Sequence, residues 1–212
     1  MKIALIGATG FVGSKVLAEA LQRGHHVTAL ARTPSKLAPR AGLAVVAADG
    51  ADASAIAQAV AGHDALVSTY NVRGQADFAA QYLRGARAAI EGCKRAGVQR
   101  LLWVGGAGSL FVAPGVQLVD TPQFPAEYKT EARAARDALG LFRDEAGLEW
   151  SFVSPAPMLV PGERTGRFRL GGDEVLMDAG QPGRISVEDL AVAILDELES
   201  PQHVRRRFTL AY

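Results

Sequence analysis

The sequence predicts a doubly wound α/β fold, a parallel sheet with helices on both faces. Three observations carry that prediction. Apolar runs of strand length alternate with longer stretches of helical period, the pattern of βαβ units. The first run leads directly into a glycine-rich turn and an amphipathic helix. The chain has 212 residues, 49% apolar and 21% charged, enough to bury one core without covalent staples.

Taken in order, Lys2–Ile6 is a short apolar run that reads as a strand, and residues 11–23 are the helix after it. His26–Ala31 and Leu43–Ala47 read as the second and third strands. Residues 53–61 form a short alanine-rich helix, and 65–69 the fourth strand. Over 76–96 the positions Phe78, Ala79, Tyr82, Ala86, Ala89, Ile90 and Cys93 fall three or four apart, which predicts a long helix with one buried stripe. Arg100–Val104 is a fifth, buried strand, 126–145 another amphipathic helix, and 149–153 the sixth strand. The alternation then breaks at Pro155, Pro157, Pro161 and Gly162, because each proline removes a donor and restricts its predecessor. Residues 168–170 and 174–178, joined by Gly171-Gly172-Asp173, predict a small hairpin. Ser186 is expected to cap a helix over Val187–Glu199, with Glu188 and Asp189 suited to its positive end. Residues 206–210 predict a last strand.

Composition excludes several classes of function. A net charge of +1 offers no broad basic field to nucleic acid or an anionic membrane. The one cysteine, Cys93, allows neither an internal disulfide nor a multi-cysteine metal site, and its neighbours suggest a helical packing position. The four histidines are scattered, so no metal is expected. The first apolar stretch stops at Gly7, far short of a secretory segment, and no run approaches the ~18 residues of a membrane span. A cytoplasmic protein is expected, one domain over residues 1–212, working as a monomer or homodimer on a small molecule.

The turn Gly7-Ala8-Thr9-Gly10-Phe11-Val12-Gly13 lies between a strand and a helix. Gly7 permits the tight turn, Gly10 lets the backbone approach a pyrophosphate, and Gly13 lets the helix pack closely on the sheet. Free N–H groups and the positive end of the helix dipole then receive phosphates. The residues after the second strand choose between dinucleotides. An acid there accepts from ribose hydroxyls, whereas arginine fits a 2′-phosphate. Here Ala31 is followed by Arg32-Thr33-Pro34-Ser35-Lys36, with no acid nearby. A guanidinium grips a phosphate in a two-pronged, charge-assisted geometry, and Thr33 and Lys36 add donors. NADP(H) is therefore expected over NAD(H).

The Gly7, Gly10, Gly13 spacing with Arg32 resembles the atypical, NmrA-like branch of the short-chain dehydrogenase/reductase superfamily. More narrowly, 1–13, Val104-Gly105-Gly106-Ala107-Gly108-Ser109 and Trp150-Ser151-Phe152-Val153-Ser154-Pro155-Ala156 resemble bacterial NADH-flavin reductases. Pro161-Gly162-Glu163-Arg164-Thr165-Gly166 and Ile185-Ser186-Val187-Glu188-Asp189 extend the similarity over essentially the whole chain. It implies a Rossmann domain with a small C-terminal cap, to which 155–185 contributes. It further implies that Asp49 contacts adenine and that Ser68-Thr69-Tyr70-Asn71 runs along the cofactor. Gly105 belongs to the same matched set, and Ser154-Pro155-Ala156 closes over nicotinamide. From the residues alone, Asp49 has a second reading as a solvated turn acid or helix cap, and Tyr70-Asn71 as a plain turn.

Typical short-chain dehydrogenases use a serine and a tyrosine four residues before a lysine, which lowers the tyrosine pKa for proton transfer. Ser109 stands at a plausible place for the serine, but the pair is missing. Tyr128, Tyr82 and Tyr70 are followed four residues later by Ala132, Ala86 and Gly74. Lys129 adjoins Tyr128, and adjacent helical side chains point about 100° apart. Reducing a flavin or quinone is less demanding, because hydride adds to an electron-poor ring and solvent supplies the proton. Catalysis then rests on holding two flat rings together. This favours hydride transfer from NADPH to a planar acceptor, with flavin as a substrate. Ser109, Tyr128 and Lys129 are the candidate acceptor-side groups. The long loop 105–125 brings Phe111, Pro114 and Phe124, either as an acceptor surface or as anchors. Arg164, Arg167 and Arg169 read as a solvated charge run or as a flavin-phosphate site. Two other functions compete: a non-enzymatic NADP-binding redox sensor of the NmrA kind, and a sugar-nucleotide epimerase, which ordinarily carries the missing pair.

Overall fold

Strands and helices alternate as expected through the first three-quarters of the chain. The computed structural model describes residues 1–212. Its main sheet contains β1 (Lys2–Ile6), β2 (His26–Ala31), β3 (Leu43–Ala47), β4 (Ala65–Ser68), β5 (Arg100–Val104), β6 (Glu149–Pro155), β7 (Arg169–Gly171) and β8 (Arg206–Ala211). The helices are α1 (Phe11–Gln22), α2 (Ala53–Val60), α3 (Phe78–Ala96), α4 (Lys129–Arg143) and α5 (Val187–Glu199). The sheet order is β3-β2-β1-β4-β5-β6-β8-β7, parallel throughout except that β7 runs antiparallel to β8. The chain steps outward from β1 to β3, then returns to build the other half from β4. A crevice opens at that reversal, above the carboxyl ends of β1 and β4, and ligands of such sheets bind there.

Side chains alternate across the sheet, so each face carries its own core. Ile3 and Leu5 of β1 join Leu102 and Val104 of β5 beneath α1 and α5. Ala4 and Ile6 join Leu101 and Trp103 beneath α2, α3 and α4. The Trp103 ring is fully buried, and its indole N–H donates to the Tyr82 hydroxyl at 3.0 Å. That hydroxyl donates in turn to the Val104 carbonyl at 3.3 Å, so neither polar tip is left unpaired. Cys93 packs in the same core, where burial pushes its thiol up to about 12 and leaves it unreactive. Gly85 and Gly92 stand inside α3, where glycine costs roughly 0.5–1 kcal/mol relative to alanine, so each needs a reason in the packing.

Two sequence expectations are corrected. The hairpin over 168–178 does not form. Arg169–Gly171 pairs with β8, and Met177–Asp178 pairs with Gln181–Pro182. The unmet backbone groups of β8's outer edge were a better partner than a neighbouring short strand with no core behind it. The helix expected over 126–145 opens instead as a 3₁₀ turn, Ala126–Tyr128, and becomes α-helical from Lys129. The cap of α5 forms as expected: the Ser186 hydroxyl accepts from the Asp189 N–H at 3.0 Å.

Asp189 has a second task that its position in a first helical turn did not announce. Its carboxylate accepts from the Thr165 and Gly166 N–H groups at 2.8 Å each, and from the Thr165 and Tyr212 hydroxyls. Burial pushes this carboxyl up, but those donors together hold it below the ordinary range. The strap 161–167 is thereby fixed against α5. Arg164 fastens the strap to α1 through a two-pronged pair with Glu19, both contacts 2.7 Å. Arg169 donates to the backbone carbonyls of Met177 and Tyr212. Arg164 and Arg169 are thus structural ties, neither a solvated run nor an open phosphate site; the Arg167 side chain is exposed and beside them at the strap.

Candidate functional site

The turn after β1 is shaped by what its glycines lack. Gly7 has φ +88°, and a Cβ there would stand 2.4 Å from the Thr69 Oγ1. A Cβ on Gly13 would lie 2.0 Å from the Gly7 carbonyl oxygen, so only glycine brings α1 this close to the turn. Gly10 is different: its Cβ would meet nothing but the Gly7 oxygen at 3.2 Å. The space its side chain would occupy is open toward the crevice, which is what the approach of a pyrophosphate requires. No side chain caps α1, its first turn holds no acid, and its first backbone bond runs from the Ser14 N–H to the Gly10 carbonyl. The N–H groups of Phe11, Val12 and Gly13 accordingly remain free for an anion. Phe11 is itself half-exposed, whereas Val12 packs on the core beneath α1.

A cavity of about 200 Å³ lies beside this turn. Gly7, Thr9 and Gly10 border it on the β1 side, Arg32, Thr33 and Lys36 on the β2 side, Asp49 and Gly50 after β3, and Thr69, Tyr70 and Asn71 after β4. The sequence placed all of these residues but Gly50 along a cofactor, and the fold brings them together. Pro34 starts a short 3₁₀ turn, Pro34–Lys36, which folds the chain back so that Lys36 returns to the rim beside Arg32. Both cations are exposed, and neither takes part in an ion pair. The Thr69 hydroxyl is already committed, donating to the Ile6 carbonyl at 3.0 Å. Asp49 accepts from the Ala51 N–H at 3.0 Å; the residue that caps α2 is Asp52, which accepts from the Ser54 and Ala55 N–H groups. The helix-cap reading of Asp49 is therefore set aside, leaving a turn carboxylate that faces the cavity. Burial, and after it the Asp49 carboxylate, raise the Tyr70 phenol above its ordinary value, while Arg84 and Arg32 pull the other way.

This donor set and this open glycine turn fit a nicotinamide dinucleotide, and the comparisons agree. The family model described as NAD(P)H-binding matches residues 7–201. The chain belongs to this NAD(P)H-binding family. Three crystal structures are similar to it over all of this chain and nearly all of theirs. A Burkholderia pseudomallei protein, provisionally described as exported, is 46% identical, with all of both chains covered and a TM-score of 0.91. A Bacteroides thetaiotaomicron protein, provisionally described as an epimerase, is 42% identical over 100% of this chain and 96% of that one, TM-score 0.93. A Streptococcus pneumoniae protein, provisionally described as an NADH-flavin reductase, is 33% identical over 100% and 99%, TM-score 0.88. The fold is the oxidoreductase-like Rossmann fold of the NAD(P)H-binding family. The three descriptions disagree on what such proteins do, so chemistry has to be argued from the site.

In this member of the NAD(P)H-binding family the remaining predicted residues do not line the cavity. A Cβ on Gly105 would lie 2.0 Å from the Phe152 ring, so that glycine makes room for an aromatic core residue. Ser154, Pro155 and Ala156 are buried at the end of β6, and the Ser154 hydroxyl has no protein partner. Ser109 is corrected most sharply. It is 1% exposed, and its hydroxyl and carbonyl both accept from Arg207 Nη1 at 2.9 Å. A serine gripped inside the protein is not presented to a substrate. Arg207 also pairs with Asp173, whose carbonyl accepts from the Phe111 N–H at 2.8 Å. Backbone pairing thus makes the Phe111 end of loop 105–125 an anchor.

Tyr128 is 47% exposed at the start of α4, and Lys129 is half-buried there; neither borders the cavity. The Arg73 guanidinium stands 5.9 Å from the centre of the Tyr128 ring and pairs two-pronged with Glu131, the closest contact 2.5 Å. This clasp joins the loop after β4 to the first turn of α4. Sequence reasoning missed it because no local pattern relates Arg73 to Glu131. No helix is long and apolar enough to cross a membrane.

Proposed function

We propose that this chain is an NADPH-dependent oxidoreductase that reduces a flavin or another flat, quinone-like acceptor. The observation that carries the reading is the pair of exposed, unpaired cations Arg32 and Lys36 on a cavity rim, with no acid at the end of β2. When bound, NADPH supplies the hydride. The α1 N–H groups and the space left at Gly10 hold the pyrophosphate, while Arg32, Lys36 and the Thr33 hydroxyl hold the 2′-phosphate. Asp49 and Tyr70 line the adenosine end. The segment 155–185 forms the substrate-side wall of a single domain. No side-chain acid is needed for a flat acceptor, which agrees with the missing tyrosine–lysine pair and with the burial of Ser109. The description of the Streptococcus relative points to the same chemistry. The epimerase description fits less well, since such enzymes rely on that pair. Cofactor recycling favours the cytoplasm over export, and fractionation of cells checks this.

Anaerobic NADPH oxidation by the purified protein, with and without FMN, tests the reading. Saturable turnover that requires both protein and FMN is expected. Tight NADPH binding without turnover on FMN, FAD or simple quinones overturns it in favour of a redox sensor, a reading favoured by one observation: the Ser109 hydroxyl is buried and held by Arg207. Tyr128→Phe is expected to leave flavin reduction within about threefold of wild type, because the phenol carries no proton in this scheme. A loss of about a hundredfold would identify a side-chain acid after all.

A further inference from the structure

Of the two glycines inside α3, Gly92 answers to the core, where a Cβ would lie 2.5 Å from Ile56 Cγ2. Gly85 answers to the candidate site. A Cβ there would stand 2.4 Å from Tyr70 Cε1 and 2.5 Å from Cδ1. The opposite edge of the same ring meets a second glycine: a Cβ on Gly50, the residue after Asp49, would stand 3.0 Å from Tyr70 Cδ2. Trp103 packs nearby with ring centroids 6.4 Å apart. The ring is therefore wedged by its edges between α3 and the turn after β3, and in that place it lines the cavity.

We propose that Gly85 and Tyr70 work together as a specificity device for the adenosine half of the cofactor. The glycine keeps the ring back against α3, and the ring so held forms the wall against which adenine lies. This rests on reading the cavity as the adenosine end of an NADPH site. A purine offers a flat π-face, and an aromatic wall already fixed by packing binds it without first having to be ordered. Adding a methyl group at Gly85 puts a carbon about 1 Å inside ordinary contact with the ring. A helix packed along its length does not yield that distance, so the ring turns toward the open side, which is the cavity.

The test is calorimetric titration of adenosine 2′,5′-bisphosphate and NADPH into wild type, Gly85→Ala, Tyr70→Ala and the double variant. Gly85→Ala is expected to bind both ligands about 30-fold or more weakly with an undiminished Tm, since alanine is the better helix former. Tyr70→Ala is expected to lose about tenfold. The double variant is expected to bind as Tyr70→Ala does, and so more tightly than Gly85→Ala, because no ring remains to be displaced. Gly85→Ala binding within about threefold of wild type overturns the inference. So does a double variant as weak as Gly85→Ala, or an affinity that falls only in step with Tm. Wild type binding neither ligand overturns the dinucleotide reading itself, a failure visible before any variant is compared.

Discussion

Arg32→Glu is expected to raise the NADPH dissociation constant by about a hundredfold to a thousandfold while leaving NADH within about threefold. A hydrogen-bonded contact to a charged group is worth about 1.5–3 kcal/mol, and the substitution also sets a carboxylate against the phosphate, which brings the difference to about 3–4 kcal/mol. Arg32 is exposed at the cavity rim and makes no ion pair, so its loss leaves no internal charge behind and Tm is expected to stay within the range of surface changes. Raising the salt concentration should shrink the NADPH preference of wild type, because the contact is solvent-facing. Titration of both dinucleotides into both proteins checks the result. An equal loss for NADPH and NADH would remove Arg32 from the 2′-phosphate.

A second large effect is expected far from the cavity. Glu197 and Arg100 form an ion pair at 2.9 Å, with side-chain exposures of 4% and 7%. The same carboxylate accepts from the Ser151 hydroxyl, from the Gln202 and His203 N–H groups, and sits 2.8 Å from His203 Nδ1. Arg100 Nε already lacks a partner. Glu197→Ala strips the guanidinium of its counter-charge inside the protein, and breaking a buried pair this way costs about 3–5 kcal/mol. For a chain of this length that is a fall in Tm of roughly 6–20 °C. A fall below about 3 °C would show that solvent reaches Arg100 freely. Acidity gives an independent check. Burial pushes the Glu197 carboxyl up, but the His203, Gln202 and Ser151 donors together hold it below its unfolded value. A depressed acid contributes stability that is full above the unfolded pKa, near 4.5, and is lost as the pH falls through the folded one. Wild type should therefore weaken below about pH 4.5, and Glu197→Ala should show a flatter acid limb.

Much of the molecule was legible because the signals were local. The spacing of Gly7, Gly10 and Gly13 after an apolar run located the glycine turn that borders the cavity, and the residues after β2 located its Arg32 rim. The stripe on α3 predicted a helix with one buried face. What escaped was decided by partners distant in the chain. Residues 168–170 have the spacing of a hairpin arm, but their mate lies at 206–211. Ser109 occupies the position of a catalytic hydroxyl, and only Arg207, 98 residues on, reveals that the hydroxyl is spoken for. Between Asp49 and Asp52 no rule of sequence says which caps α2 and which faces the cavity, because both stand within one turn of its start. Gly85 carried no signal in the sequence, and only the fold sets Tyr70 against it.

The place of β8 between β6 and β7 bears on how the protein is made. A ribosome delivers 169–171 well before 206–211, so β7 emerges with no strand beside it and waits as a loose segment. Loop 105–125 waits as well, since the arginine that grips Ser109 and Asp173 is carried on β8. The dinucleotide half, β1 to β5, depends on neither event. A nascent chain halted before residue 206 should therefore already protect the glycine turn from protease while 105–125 and 155–185 are still cut.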